Sequence, residues 1–174
     1  MKKIIYFLII SATCITCAAQ TRLTPGEIKG KHETFTIHLF KSMTTDTQKL
    51  LVVYSKSNKY NKGIPRAKNP NAIPYNPKTD VHVNNDSIRS IIYRVLNNID
   101  ELKKNKEEMG LIFAFELNGD LTQITFSLHG NTLITLQQIE EIDKQLRANV
   151  KASFTGKWYS QFPVIDYHPP KIIF

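Results

Sequence analysis

His32, His38, His82, His129 and His168 are the side chains of this chain best suited to proton transfer or metal ligation. No two of them sit at helical i, i+4 spacing around a glutamate, the pattern that would put two ligands and a base on one helical face. His32 and His38 share the parity of an extended segment, but six residues at about 3.3 Å each hold them about 20 Å apart, too far for one metal ion. Glu140, Glu141 and Asp143 cluster on a segment with helical periodicity. Two carboxylates that face each other in a cleft can share acid–base work. Here Lys144 and Arg147 stand within one turn, which points to the solvated, ion-paired face of a helix. There is no Gly-x-Ser-x-Gly elbow, no phosphate-binding glycine loop and no dinucleotide fingerprint. The pattern predicts no catalytic residue, no metal and no cofactor. An enzyme of unrecognised type remains only as a distant alternative.

One segment has binding character. Residues 57–80 contain four prolines, Pro65, Pro70, Pro74 and Pro77, which rule out a helix or a central strand. Loops of this length are uncommon in compact domains and are often functional. Lys59, Tyr60, Lys62, Arg66, Lys68 and Tyr75 are the candidate ligand-binding residues, offering rings for sugar stacking and cations for an acidic group. The competing expectation is a solvated loop whose tyrosines pack back on the sheet.

The elements that would carry such a loop follow an N-terminal leader. Lys2 and Lys3, the apolar run Ile4–Ile10 and the small residues from Ser11 form the three parts of a secretory signal, cut after Ala19 or Ala18. The apolar core is well short of the ~20 residues of a permanent transmembrane helix, so the mature chain is not expected to span a membrane. A lipid anchor at Cys14 or Cys17 is the alternative; the triplets Ser11-Ala12-Thr13 and Cys14-Ile15-Thr16 each match only part of a lipoprotein signal. Residues 1–19 therefore read as signal peptide and 20–174 as a single domain, periplasmic or secreted, or else anchored to the outer membrane by lipid.

Both cysteines lie in the signal, so the mature chain has none, and disulfides, thiol nucleophiles and cysteine-based zinc sites are excluded together. About 155 of the 174 residues remain, enough to bury a core without cross-links. Losing Lys2 and Lys3 takes the formal charge from +8 to +6 (8 − 2), a balance that suits an envelope protein partner or an acidic glycan. Nucleic acid is not expected, since export removes the chain from it and no recognition motif is present.

Along the mature chain, residues 20–31 read as a loose leader. Phe35, Ile37 and Leu39 alternate with polar residues in one strand, and Leu50–Tyr54 forms a second, joined to it by a polar connection at Ser42–Gln48. Asp86 offers an N-cap to a helix whose apolar stripe runs through Ile88, Ile91, Ile92, Val95, Leu96, Ile99 and Leu102. Leu111–Leu117 and Thr122–Leu128 flank the turn Asn118-Gly119-Asp120 as a hairpin. Thr135 with Gln138 makes a capping box for a second amphipathic helix. Trp158, Tyr159, Phe162 and Tyr167 read as core closure, and a final strand is interrupted at Pro169-Pro170. The fold class is α+β: an antiparallel sheet with two amphipathic helices on one face, a two-layer sandwich.

The run from Gly110 to Ile124, with one glycine opening an alternating strand and Gly119 in the turn, resembles the central hairpin of TonB C-terminal-type domains. The capped helix from Thr135 falls where that fold has its second helix. The resemblance covers roughly half the chain and implies a two-layer fold that binds a partner by strand addition. The chain departs from that family in its longer first helix and in the hairpin and proline-rich loop that precede it. The leading expectation is a non-enzymatic envelope or secreted protein that binds a protein partner, through a strand edge or the basic loop. A carbohydrate- or polyanion-binding module using residues 57–80 is the alternative.

Overall fold

The computed structural model describes residues 21–41, 49–67 and 69–174. The signal expected at 1–19, both cysteines, the 42–48 connection and Lys68 lie outside the described residues. The elements in chain order are β1 (Gly26–Lys29), β2 (Thr34–Lys41), β3 (Lys49–Ser55), α1 (Pro77–Asp80), β4 (Val81–Val83), α2 (Asn85–Val95), α3 (Ile99–Lys104), β5 (Glu108–Phe115), β6 (Leu121–His129), α4 (Leu136–Asn149), β7 (Ala152–Phe154), β8 (Ile165–Tyr167) and β9 (Ile172–Ile173).

Seven of the strands make one antiparallel sheet in the order β1-β2-β3-β6-β5-β8, with β9 pairing the other end of β5. Alternation along each strand sends Phe35, Ile37, Leu51, Val53, Phe126, Leu128, Phe113 and Phe115 to one face, where all are buried. Ile88, Ile91 and Ile92 of α2 and Ile139, Ile142 and Leu146 of α4 close over the same core. The result is the two-layer α+β fold. Among the described residues no helix is long and apolar enough to cross a membrane.

Local chemistry sets the helix starts. Thr135 Oγ1 accepts the Gln138 N–H while the Gln138 side chain accepts the Thr135 N–H, so two orphan donors are satisfied reciprocally. The cap of α2 is Asn84, whose side chain accepts from the Ser87 N–H, and Asp86 lies inside the first turn. The long helix expected from 86 to 102 is two helices. Leu96 is extended (ψ 119°), and Asn97 and Asn98 both accept from Gln138 Nε2, at 2.9 and 3.0 Å. Asparagine is a weak helix former, and here both side chains bond a partner on α4 where the chain leaves the helix. The apolar stripe survives the break because Leu102 of α3 returns to the same core.

Three further features depart from the sequence reading. α1 is a one-turn helix inside the 57–80 stretch whose prolines argue against any helix: Pro77 sits in its first turn, where no N–H is needed, and Asn76 caps it. The stretch taken as a loose leader contains β1, which pairs Gly26–Lys29 with Ile37–Thr34. It is short and polar because it lies at a sheet edge, where a periodic apolar face is not required. A two-stranded ribbon, β4 with β7, also forms beside the main sheet. The C-terminal strand is interrupted at Pro169-Pro170 as expected, leaving β8 and β9 on either side. Trp158 is 41% exposed and does not close the core, whereas Tyr167 packs against it.

Candidate functional site

The 57–80 loop leaves the sheet through Asn58, which extends the β3 ladder with its side chain. Asn58 Nδ2 donates to the Ile124 carbonyl at 2.9 Å, and its Oδ1 accepts the Ile124 N–H at 3.3 Å. Arg147 donates to the same Oδ1 and, at 2.9 Å, to the Thr122 carbonyl. Next, Lys59 Nζ and Tyr60 Oη converge on Glu116 Oε1, each at 2.7 Å. Those two hydrogen bonds, Lys59 first, hold the Glu116 carboxyl below its ordinary range.

The far arm of the loop is held elsewhere. The Tyr75 ring meets Phe162 edge-on at 5.2 Å, and its hydroxyl donates to the Asp166 carbonyl while accepting the Asp166 N–H. Arg66 lines a shallow cleft with Tyr75, Pro70, Pro74 and Phe162, and Lys62 is exposed. The five described candidates, Lys59, Tyr60, Lys62, Arg66 and Tyr75, therefore do not form one platform. Lys59 and Tyr60 meet at a carboxylate, Arg66 and Tyr75 meet at a cleft, and the polar ends of Lys59, Tyr60 and Tyr75 already bond to the protein.

The carboxylates of α4 correct the solvated-face reading. Glu141 is paired with Lys144 near the surface, but Glu140 and Asp143 are only 8% and 4% exposed. Glu140 accepts three consecutive backbone N–H groups, from Lys31, His32 and Glu33, at 2.9, 2.5 and 2.8 Å. Burial raises its carboxyl pKa, yet the three donors and the nearby His32 charge outweigh that and hold it below the ordinary value. Asp143 pairs with Arg147 at 2.7 Å, and there burial wins and raises the carboxyl. Glu140 thus clasps α4 to the chain before β2, while Glu141 and Asp143 pair with cations of their own helix. Among the described residues no histidine, cysteine or carboxylate set is arranged to hold a metal ion.

The outer face of the sheet carries the exposed chemistry. His38 and Phe40 of β2 and Tyr54 of β3 form an aromatic row, with Tyr54 Oη 3.0 Å from His38 Nε2 and the two rings 5.7 Å apart. Phe40 is 51% exposed; Leu39, on the opposite face of β2, is 43% exposed. Among the described residues β1 pairs only Thr34–Ile37, so the backbone of His38–Lys41 has no strand on its outer side. Beside this row, His38, Val52, Ser127 and Gly110 are in register across four strands, and Phe40, Leu50 and His129 form the next rank. Gly110 and Ser127 have little or no side chain where their neighbours have large ones. They floor a groove of about 400 Å³ walled by Phe40 and Leu50.

Comparison with solved structures places this architecture. The fold resembles the crystal structure of a DUF5043 family protein from Bacteroides uniformis ATCC 8492, with a TM-score of 0.66 over 88% of this chain and 86% of that one. The two sequences are 14% identical, so the likeness is one of fold. No family model matches the chain, and no curated protein matches it in sequence.

In chemical terms the outer face offers aromatic and aliphatic surface beside a strand edge that is unpaired among the described residues. Sequence alternation assigns Phe40 to a strand but does not say that nothing covers the face it occupies. The signal was present in Phe40, Leu50, Val52 and Ile112, apolar residues at positions that alternation sends outward.

Proposed function

We propose that this protein is a non-enzymatic exported protein, of the envelope or secreted, that binds a protein partner by strand addition at the outer half of β2. The observation that carries the reading is the four-residue edge His38–Lys41, unpaired among the described residues and flanked by exposed Leu39 and Phe40. An added strand finds backbone donors and acceptors there, and its side chains find the aromatic row. The resemblance of the Gly110–Ile124 hairpin to TonB C-terminal-type domains, which bind partners in that way, supports the same mode. The loop reading has less support, because Lys59, Tyr60 and Tyr75 commit their polar groups to Glu116 and Asp166.

A photoreactive benzoylphenylalanine at Phe40 tests it, with the same group at exposed Lys144 on α4 as control. The expected result in living cells is a discrete cross-linked product from position 40 and none from 144, lost in the Leu39→Pro background. Equal cross-linking from both positions, or none from either, removes the proposal.

A further inference from the structure

Two side-chain oxygens on the outer face of the sheet, Gln123 Oε1 and Asp166 Oδ1, are buried with no hydrogen-bond partner among the described residues. Register puts them in one rank. Gln123 on β6 and Asp166 on β8 both lie opposite Ala114 of β5, and all three point outward, since their neighbours Phe115, Ile124 and Ile165 are buried on the helix side. Two strand spacings of about 4.8 Å separate the outer pair, a gap that a glutamine and an aspartate can close over an alanine. Ala114 is 1% exposed, whereas Ile112, two residues along the same face, is 37% exposed. That end of the face is therefore covered. The 57–80 loop is anchored on both sides of it, by Tyr60 at Glu116 and by Tyr75 at Asp166.

The second anchor and the buried carboxyl belong to the same residue. Tyr75 Oη accepts the Asp166 N–H at 2.9 Å and donates to its carbonyl at 3.2 Å, so the loop takes the place of a further strand on the edge of β8. An ionised carboxylate and an amide carbonyl are both acceptors, and burial makes leaving them unpaired costly. A carboxylic acid can donate its O–H to the amide oxygen and satisfy both. The titratable groups around this spot do not change that balance. His168 favours the charged form, but burial outweighs it and raises the Asp166 carboxyl above its ordinary value. Lys78 of α1 lines the same cleft without forming an ion pair to Asp166, and Glu116 on β5 is already committed to Lys59 and Tyr60.

We infer that Asp166 is a proton-operated catch for the far arm of the 57–80 loop. Protonated, its carboxyl donates to Gln123 Oε1 and the arm stays closed on β8 through Tyr75. Ionised, it draws in water, Tyr75 lifts from the strand edge and the arm opens. Closure is therefore favoured at acid pH and is lost as pH rises through the raised value, because the closed form holds the proton more tightly than the open one. The catch lies on the β8 side of the sheet, several strands from the β2 edge, and is independent of strand addition there.

Amide-exchange protection of Asp166, referred to the intrinsic rate at each pH, tests the catch, since Tyr75 holds that N–H. Protection is expected to fall by roughly tenfold between about pH 4 and about pH 7, the effect of one unit of pKa difference between closed and open forms. At every pH it should stay below that of Val53 in the β3–β6 ladder, the mark of a local opening. Asp166→Asn, a permanently neutral donor, should hold protection at the acid level throughout. Tyr75→Phe keeps the ring against Phe162 but removes the hydroxyl, and should lose the protection at all pH. The inference fails if wild-type protection is flat or rises with pH, as it would were the Gln123 amide turned to donate to an ionised Asp166. It fails equally if Asp166→Asn keeps the wild-type slope, or if Asp166 and Val53 exchange together.

Discussion

Gly30 and Glu140 are fitted to each other: a Cβ built on Gly30 would lie 2.9 Å from the Glu140 carboxyl carbon and both its oxygens. The missing side chain lets the chain before β2 wrap around a carboxylate projecting from α4, so that three successive N–H groups reach it. The carboxylate is fixed by those donors and cannot simply swing aside. Gly30→Ala is therefore expected to cost about 1–3 kcal/mol, and Glu140→Gln, which keeps one acceptor oxygen but loses the charge, about 1.5–3 kcal/mol. Chemical denaturation of the two variants and of their double mutant checks this. The double mutant should lose clearly less than the sum of the two, because both changes break one clasp.

Two carboxylates should pull the acid stability of the protein in opposite directions. Glu140 has a folded pKa below its ordinary 4.5, so its contribution is present above that value and is lost as pH falls through the depressed one. Asp166 behaves in reverse. Burial raises its carboxyl above 3.8 against the opposing charge of His168, and its Oδ1 is buried with no hydrogen-bond partner. The folded state then holds the Asp166 proton more tightly than the unfolded chain, and stability falls as pH rises from 3.8 through the raised value. Asp166→Asn should raise Tm at neutral pH, with the gain shrinking as the buffer is taken down toward pH 3.8. A Tm gain independent of pH would rule out the protonation account.

The Asn58 side chain stands in for backbone. Its amide satisfies both the N–H and the carbonyl of Ile124 at a point where β3 has ended, and it also receives Arg147. Asn58→Ala strands two buried main-chain groups and removes one acceptor from Arg147, which keeps Asp143 and the Thr122 carbonyl, for an expected loss of about 2–4 kcal/mol. Asn58→Asp keeps the acceptor for Ile124 N–H and Arg147 and should lose less. Urea midpoints and amide exchange at Ile124 would show both effects.

Periodicity made most of the scaffold legible. The hairpin around Gly119, the capping box at Thr135 and the interruption at Pro169-Pro170 each rest on chemistry confined to a few neighbouring residues, and all of them are present. What stayed hidden depends on contacts distant in sequence. Asn97 and Asn98 break the predicted helix because Gln138, forty residues away, occupies their side chains. Glu140 looks like surface until the chain around Gly30 closes on it. The groove is hardest to foresee, since Gly110 and Ser127 read as unremarkable strand residues until register puts them side by side.

The tether of the 57–80 loop can be tested through the residue that holds it. Glu116 Oε1 takes both Lys59 and Tyr60, and the ammonium also lies 5.5 Å from the centre of the Tyr60 ring. Because Lys59 is largely solvent-exposed, the ion pair itself adds little to global stability, and Glu116→Ala should leave the urea midpoint almost unchanged. Its effect should be local. Amides of residues 59–63 should exchange faster, and proteolysis within the first arm of the loop should begin earlier, while the second arm stays held by Tyr75 and Phe162. The same variant separates the two roles considered for the loop. It releases a lysine and a tyrosine ring and removes a negative charge, so a polyanion-binding loop would elute from heparin at distinctly higher salt once Glu116 is gone. A loop whose cations merely anchor it would show only the small shift expected from one unit of net charge, the same as that given by replacing exposed Glu141 with alanine.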